Sequence, residues 1–434
     1  MKLNKLLTIS LSCLLSASAF GAERAMSLEE VLTMAESNSK TLQARRAAVD
    51  EAEEGIAVAK NDRLPSIQAD LSFNYIGNGW MSDRNFKNGM STDMPHFGDN
   101  FALKATQVVY AGGAIDAGIE ISELQKQIAE LQYANDRQGV RFLLCGYYLQ
   151  LCQLKNQHDV YVENIAQTEA LIKEIRAGYE QGTNLRTDIT RYELQLQGLQ
   201  LGLTHTENQR RIINRHITTA IGIDASTEII PDANVDKTAI DRATEQTWQG
   251  KSSMSPALQL AGKSVEMTLK QQTLAKAGRR PSIALVAADN FNGPILIEVP
   301  PINKNFNYWY VGVGITYNFD ALYKNNKKLR QAKASTFRAE VEKSAVEENL
   351  SNGIHDAYVG LDEAYTRLET KETSVRLAQE NYDVVRNRYV SGLALVTDML
   401  DAANVKLESE LDLTNARIDI VYQYYLLKKT IGNL

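Results

Sequence analysis

Few residues in this chain are equipped for covalent or metal chemistry. Five histidines and three cysteines are spread over 434 residues. Cys145 and Cys152 lie seven positions apart on one helical pattern. Their Cα atoms are then ~10 Å apart by helical rise, too far for a mutual disulfide. Ligands for one metal ion on a single helix need closer spacing, so both thiols read as small buried apolar residues. His158 lies on an apolar seam and reads as a packed polar residue. The sequence has no nucleophile elbow, phosphate-binding loop or metal-ligand cluster. It does not read as an enzyme, and no cofactor is expected. Its carboxylates say more. Asp398 and Asp401 are spaced i and i+3, so one helix face can carry both. They are either a concentrated negative field or the acidic first turn that a helix dipole favours.

A repeated turn positions that pair. Tyr179–Asp188 reads Tyr-Glu-Gln-Gly-Thr-Asn-Leu-Arg-Thr-Asp, and Tyr389–Asp398 reads Tyr-Val-Ser-Gly-Leu-Ala-Leu-Val-Thr-Asp. Tyr179/Tyr389, Gly182/Gly392, Leu185/Leu395, Thr187/Thr397 and Asp188/Asp398 are identical at one offset, 389 − 179 = 210. Gly182 and Gly392 stand where a helix C-terminus takes a left-handed residue, and Thr187 and Thr397 stand where the next helix starts. One copy is an ordinary helical-hairpin turn. Two copies in register argue for a duplicated αα-hairpin.

The flanking elements repeat as well. The first half spans 23–222: a helix over 27–63, strands at 66–76 and 101–110, a long helix over 114–181 and a return helix over 186–222. Ser27-Leu28-Glu29-Glu30 is the capping box that opens it. A connector at 223–254 loses periodicity. The second half, 255–434, has a helix over 255–280, strands at 282–291 and 308–319, a long helix over 322–391 and a return helix over 396–432. Ser255-Pro256-Ala257-Leu258-Gln259 matches Ser39-Lys40-Thr41-Leu42-Gln43, and Pro281-Ser282-Ile283 matches Pro65-Ser66-Ile67, both offset by 216. Each long helix carries apolar positions in steps of four and three. At 68 residues the first would be ~100 Å long, more than one globular core requires. Between residues 309 and 319, Trp309, Val311, Val313, Ile315, Tyr317 and Phe319 alternate with small or polar residues. That pattern suits a membrane-barrel strand with aromatic ends; a soluble sandwich strand is the alternative.

Net charge is −6 and no basic stripe suggests nucleic acid, which is therefore not an expected partner. Residues 1–22 read as a signal peptide: Lys2 and Lys5, an apolar run from Leu6 to Leu15, then small residues around Ala19 and Gly21. Cys13 follows Ser10-Leu11-Ser12, a poor lipidation context. No stretch approaches the length of a transmembrane helix. Four strands cannot close a barrel, and open edges are not tolerated in lipid. If the strands span a membrane, chains must then share one barrel; two copies supply eight strands around a filled interior, and three supply twelve and leave room for a channel.

In this order and spacing, the tip motifs, the Ser-x-x-Leu-Gln and Pro-Ser-Ile repeats and the Ala111-Gly112-Gly113 turn resemble the TolC-type outer-membrane efflux proteins. The resemblance implies an α+β membrane protein of duplicated helix-strand-strand-helix-hairpin halves. It would form a homotrimer whose twelve-stranded β-barrel sits in outer-membrane lipid, continuous with a long periplasmic α-helical barrel. It also implies docking to a periplasmic adaptor (membrane fusion) protein and an inner-membrane transporter, in tripartite efflux or type I secretion. Drugs, small toxic molecules or polypeptides would be exported. The tips Gly182, Leu185, Gly392 and Leu395 would meet the adaptor. Asp398 and Asp401 resemble the acidic pair that rings the closed tunnel end. Tyr389 resembles a tyrosine that ties neighbouring helices there, with Thr187 and Asp188 at partner positions. The family's nearby arginine is replaced by Ala394, and the turn before the second long helix reads Ala321-Leu322-Tyr323 without a glycine pair. A soluble periplasmic coiled-coil adaptor or structural protein is the other reading. The four strands discriminate, since an adaptor would fold them in water.

Overall fold

The structure, a computed structural model, describes residues 23–232, 240–298 and 301–434. The expected signal peptide, Cys13 and part of the 223–254 connector lie outside the described residues. In chain order the elements are β1 (Glu23–Met26), α1 (Leu28–Asn38), α2 (Lys40–Asn61), β2 (Ser66–Tyr75), β3 (Gly79–Met81), β4 (Met90–Thr92) and β5 (Phe97–Ala111). The first hairpin follows as α3 (Ala114–Glu180) and α4 (Arg186–Ile221), then β6 (Glu228–Pro231), α5 (Glu245–Gly250) and α6 (Pro256–Ala277). The chain ends with β7 (Ser282–Gly293), β8 (Phe306–Thr316), α7 (Ala321–Val390) and α8 (Val396–Thr430). Two compact units result: one from residues up to Gln43 with Asp136–Gly250 and Gly353–Leu434, the other from Ala44–Asn135 and Lys251–Asn352.

The first unit is built on helix packing. Ser27 Oγ accepts from the Glu30 N–H at 3.3 Å and the Glu30 carboxylate accepts from the Ser27 N–H at 2.8 Å, so the capping box starts α1. The buried face of α1, with Val31, Leu32 and Ala35, packs on Leu144, Tyr148 and Leu151 of α3, Ile213 and Ile217 of α4 and Val421 of α8. Cys145 and Cys152 are buried free thiols in the same cluster. Burial, then the neighbouring Cys152, pushes the Cys145 thiol up to about 12; it is an inert packing group rather than a nucleophile.

Three sequence expectations are corrected here. The helix expected over 27–63 is two helices. Ser39 turns extended (φ −60°, ψ 121°), while Asn38 Nδ2 donates to the Ile221 carbonyl at 2.6 Å; the tertiary tie to the end of α4 coincides with the break. Within the connector at 223–254, β6 pairs in parallel with β1, where no strand was expected. Tyr148 clamps this pair from below. Its hydroxyl donates to the Met26 carbonyl at 2.8 Å and accepts from the Asp232 N–H at 2.7 Å. Strand ends also move: 66–76 becomes 66–75, 101–110 becomes 97–111, 282–291 becomes 282–293 and 308–319 becomes 306–316. Tyr317–Phe319 leave the ladder because the turn into α7 begins there, with the Ala321 N–H on the Asn318 carbonyl at 3.0 Å. The loop after β2 holds the β3–β4 hairpin.

The second unit carries a four-stranded antiparallel sheet in the order β2-β5-β7-β8. Its register aligns one apolar face. Leu71 lies opposite Phe101, which lies opposite Phe291, and Leu285 and Ile283 lie opposite Val313 and Ile315. That face is bare: Trp309, Val311 and Ile315 are 73%, 71% and 71% exposed. The other face carries Gln68, Asp70, Ser72, Asn290 and Tyr308 by the same alternation. Neither β2 nor β8 has a second neighbour among the described residues, so both sheet edges are open. No described helix is long and apolar enough to cross a membrane.

Candidate functional site

The two hairpin turns have one geometry. At the first, the Thr183 N–H reaches the Gly178 carbonyl at 2.8 Å and the Gly182 N–H reaches Tyr179 at 3.0 Å; at the second, Leu393 reaches Arg388 at 2.7 Å and Gly392 reaches Tyr389 at 2.9 Å. These are Schellman closures. They require a left-handed residue, and Gly182 (φ 77°) and Gly392 (φ 73°) supply it.

Each return helix then starts without a side-chain cap. Leu185 and Leu395 occupy the N-cap positions, extended, and a leucine side chain has no acceptor. The aspartate three residues on compensates. Asp188 Oδ2 accepts from the Leu185 N–H at 3.1 Å, and Asp398 Oδ2 accepts from the Leu395 N–H at 3.0 Å. Asp398 is thus half of a capping arrangement, the local role its position allowed. Asp401 is exposed one turn further along α8 and makes no hydrogen bond among the described residues. The leucines themselves stand out into solvent, 68% and 69% exposed.

Behind the tips the hairpins meet in one cluster. Leu171, Ile172 and Ile175 of α3, Tyr192 of α4 and Met399 of α8 form its buried centre, and Tyr382, Tyr389 and Leu400 pack around it. Tyr389 therefore joins the second hairpin to the first by packing. Its hydroxyl, like that of Tyr192, is buried and has no hydrogen-bond partner among the described residues. Burial raises the Tyr389 phenol pKa, and the Asp188 carboxylate nearby raises it further. The expected tie from Tyr389 to Thr187 and Asp188 is not a hydrogen bond in this conformation; Asp188 is spent on the helix cap and Thr187 is exposed.

A polar layer above this cluster was not anticipated. Lys406 of α8 is 5% exposed. Its Nζ meets Gln167 Oε1 at 3.2 Å, lies 3.7 Å from Glu410 and stands 5.0 Å over the Tyr382 ring. Asn164 Nδ2 completes the group by donating to Glu410 at 3.0 Å. A sequence signal existed: Lys406 follows Met399 and Ala402 by steps of three and four, the spacing of a buried seam. Among the described residues no group of three or more His, Cys, Asp or Glu could hold a metal ion.

The sheet thus has one exposed apolar face and two open edges, and each hairpin ends in an exposed leucine. Residues 31–223 and 252–433 match the outer membrane efflux protein family, and the chain belongs to it. The outer membrane efflux protein BepC of Brucella suis is 22% identical over 98% of this chain and 90% of its own length. The outer membrane protein TolC of Vibrio cholerae is 20% identical over 100% of this chain and 96% of its own. Among solved structures, the outer membrane protein VceC of Vibrio cholerae shares the fold at a TM-score of 0.77 and 16% identity, over 93% of this chain and 96% of that one. The protein is accordingly an outer-membrane efflux channel with a periplasmic tunnel.

Proposed function

We propose that three copies of this chain share one twelve-stranded β-barrel that continues into a periplasmic helical barrel. The assembly passes drugs or other small toxic molecules to the exterior together with a periplasmic adaptor and an inner-membrane transporter. The carrying observation is the sheet: four strands, a bare apolar face and two open edges. Open edges in lipid are too costly to stand alone, and β2 and β8 are the strands free to pair with other copies. Its work is transport, not catalysis. The chain is a tandem of halves 23–222 and 255–434 around the 223–254 connector. Supporting this, Ser39 and Ser255 share the same φ −60° and ψ 121° at equivalent places, and the two tips share one closure.

The tips are the adaptor-docking surface. Leu185 and Leu395 occupy sites where Ser or Asp would improve capping by about 1 kcal/mol, yet both are exposed leucines; contact with a partner explains the choice. Asp398, Asp401, Tyr389, Thr187 and Asp188 form the gate region, where copies converge and the carboxylates attract cations. Changing Leu185 and Leu395 together to Glu tests the docking. Loss of efflux with assembly intact is expected, and unaltered efflux would place docking elsewhere.

A further inference from the structure

The chain carries a net charge of −6, but its charge reverses sharply where α7 leaves the sheet. Between Ala321 and Ala339 there are six cations and no carboxylate. Asp320, just before α7, is committed to Lys324 at 2.7 Å; at the start of α3, Asp116 is committed to Arg63 at 2.7 Å and Glu120 to Lys270 at 2.9 Å. Lys327, Lys328, Arg330 and Lys333 are exposed and make no ion pair among the described residues.

Their place along the chain matters. Phe319 stands three residues past the end of β8, and Leu322 and Tyr323 follow, at 74%, 51% and 66% exposed. Aromatic side chains at the end of a membrane strand mark the level of the lipid headgroups. From Ala321, Lys327 and Lys328 lie ~10 Å along the helix and Lys333 ~18 Å. The first two stand within about a Debye length of that level, and the flexible stems of the others can reach back toward it. The helices lie on the periplasmic side, so the adjacent leaflet is the inner, phospholipid one.

We propose that the first turns of α7 form a binding surface for anionic phospholipid headgroups of the inner leaflet of the outer membrane. Lys327, Lys328, Arg330 and Lys333 supply the charge, and Phe319 and Tyr323 supply the anchor beside it. Clusters of four or more cations next to a membrane segment attract anionic lipid in this way, each contributing through a field that salt screens. Phosphatidylglycerol has the required single negative phosphate; zwitterionic phosphatidylethanolamine does not. The inference rests on the barrel reading of the sheet.

The test is native mass spectrometry of the detergent-extracted assembly after incubation with phosphatidylglycerol, phosphatidylethanolamine or lipopolysaccharide. A variant carrying Lys327→Gln, Lys328→Gln, Arg330→Gln and Lys333→Gln is compared with the parent. Retained phosphatidylglycerol is expected to fall about tenfold or more, with subunit number, phosphatidylethanolamine and lipopolysaccharide unchanged. Phosphatidylglycerol held at the parental level would overturn the proposal while leaving the barrel untouched. Loss of subunit association would also overturn it, because the cations would then face another copy of the chain. For a variant that does not accumulate, the parent alone decides: its retained phosphatidylglycerol must fall as salt is raised, and salt-independent retention refutes the surface.

Discussion

The backbone N–H of Leu395 donates to Oδ2 of Asp398 at 3.0 Å, so a carboxylate of the proposed gate region is also a structural part of the helix that carries it. Removing it does two things at once. Asp398→Ala should cost about 1 kcal/mol of stability through the lost cap, read as a lower thermal midpoint. Asp401→Ala removes an exposed charge that makes no hydrogen bond among the described residues, and should stay within about 0.5 kcal/mol. Block of the open channel by multivalent cations should therefore be read from Asp401→Ala. Equal destabilisation by the two substitutions would contradict this division.

Tyr389 supports a different expectation. Its hydroxyl is buried and unpartnered among the described residues, and an unsatisfied buried polar group costs about 1–3 kcal/mol. Tyr389→Phe keeps the ring in the cluster and deletes the cost. Thermal melts of that variant should show equal or higher stability. A loss greater than about 1 kcal/mol would mean that the assembled protein gives this hydroxyl a partner.

Acid should loosen the junction of α1 with α3. Burial works against the Glu36 carboxylate, but its bonds to Arg141 and Arg137, the latter ion pair at 3.0 Å, outweigh it and hold the pKa below the ordinary glutamate value. A depressed folded pKa means stability that is present at neutral pH and is lost as pH falls through that value. Compared with Glu36→Gln, the parent should be more stable at neutral pH, and the two denaturation curves should converge in acid. Parallel curves throughout the acid range would remove Glu36 as the responsible group.

The parts of this fold legible in the sequence were those with long, strong periods. The alternation from Trp309 to Ile315 and the four-three rhythm of α3 and α7 leave little choice of element. The paired glycines at 182 and 392 also spoke clearly, because a left-handed closure excludes most residues. What escaped was short or tertiary. β1 and β6 are four residues each, too brief for alternation to register. The break at Ser39 coincides with a bond from Asn38 to Ile221, 183 positions away. The seam spacing of Lys406 was readable, but the polar groups that Gln167 and Asn164 bring to it from another helix were not. At the candidate gate, the residue types were readable but not their bonds: whether Asp188 faces Tyr389 or its own helix start depends on the turn geometry.

In the proposed trimer, the sheet open at β2 and β8 is one third of a barrel. Native mass measurement of the protein extracted from outer membranes tests it most directly. The account predicts a single species of three chains. A monomer, a dimer or a chain recovered in the soluble fraction would contradict it.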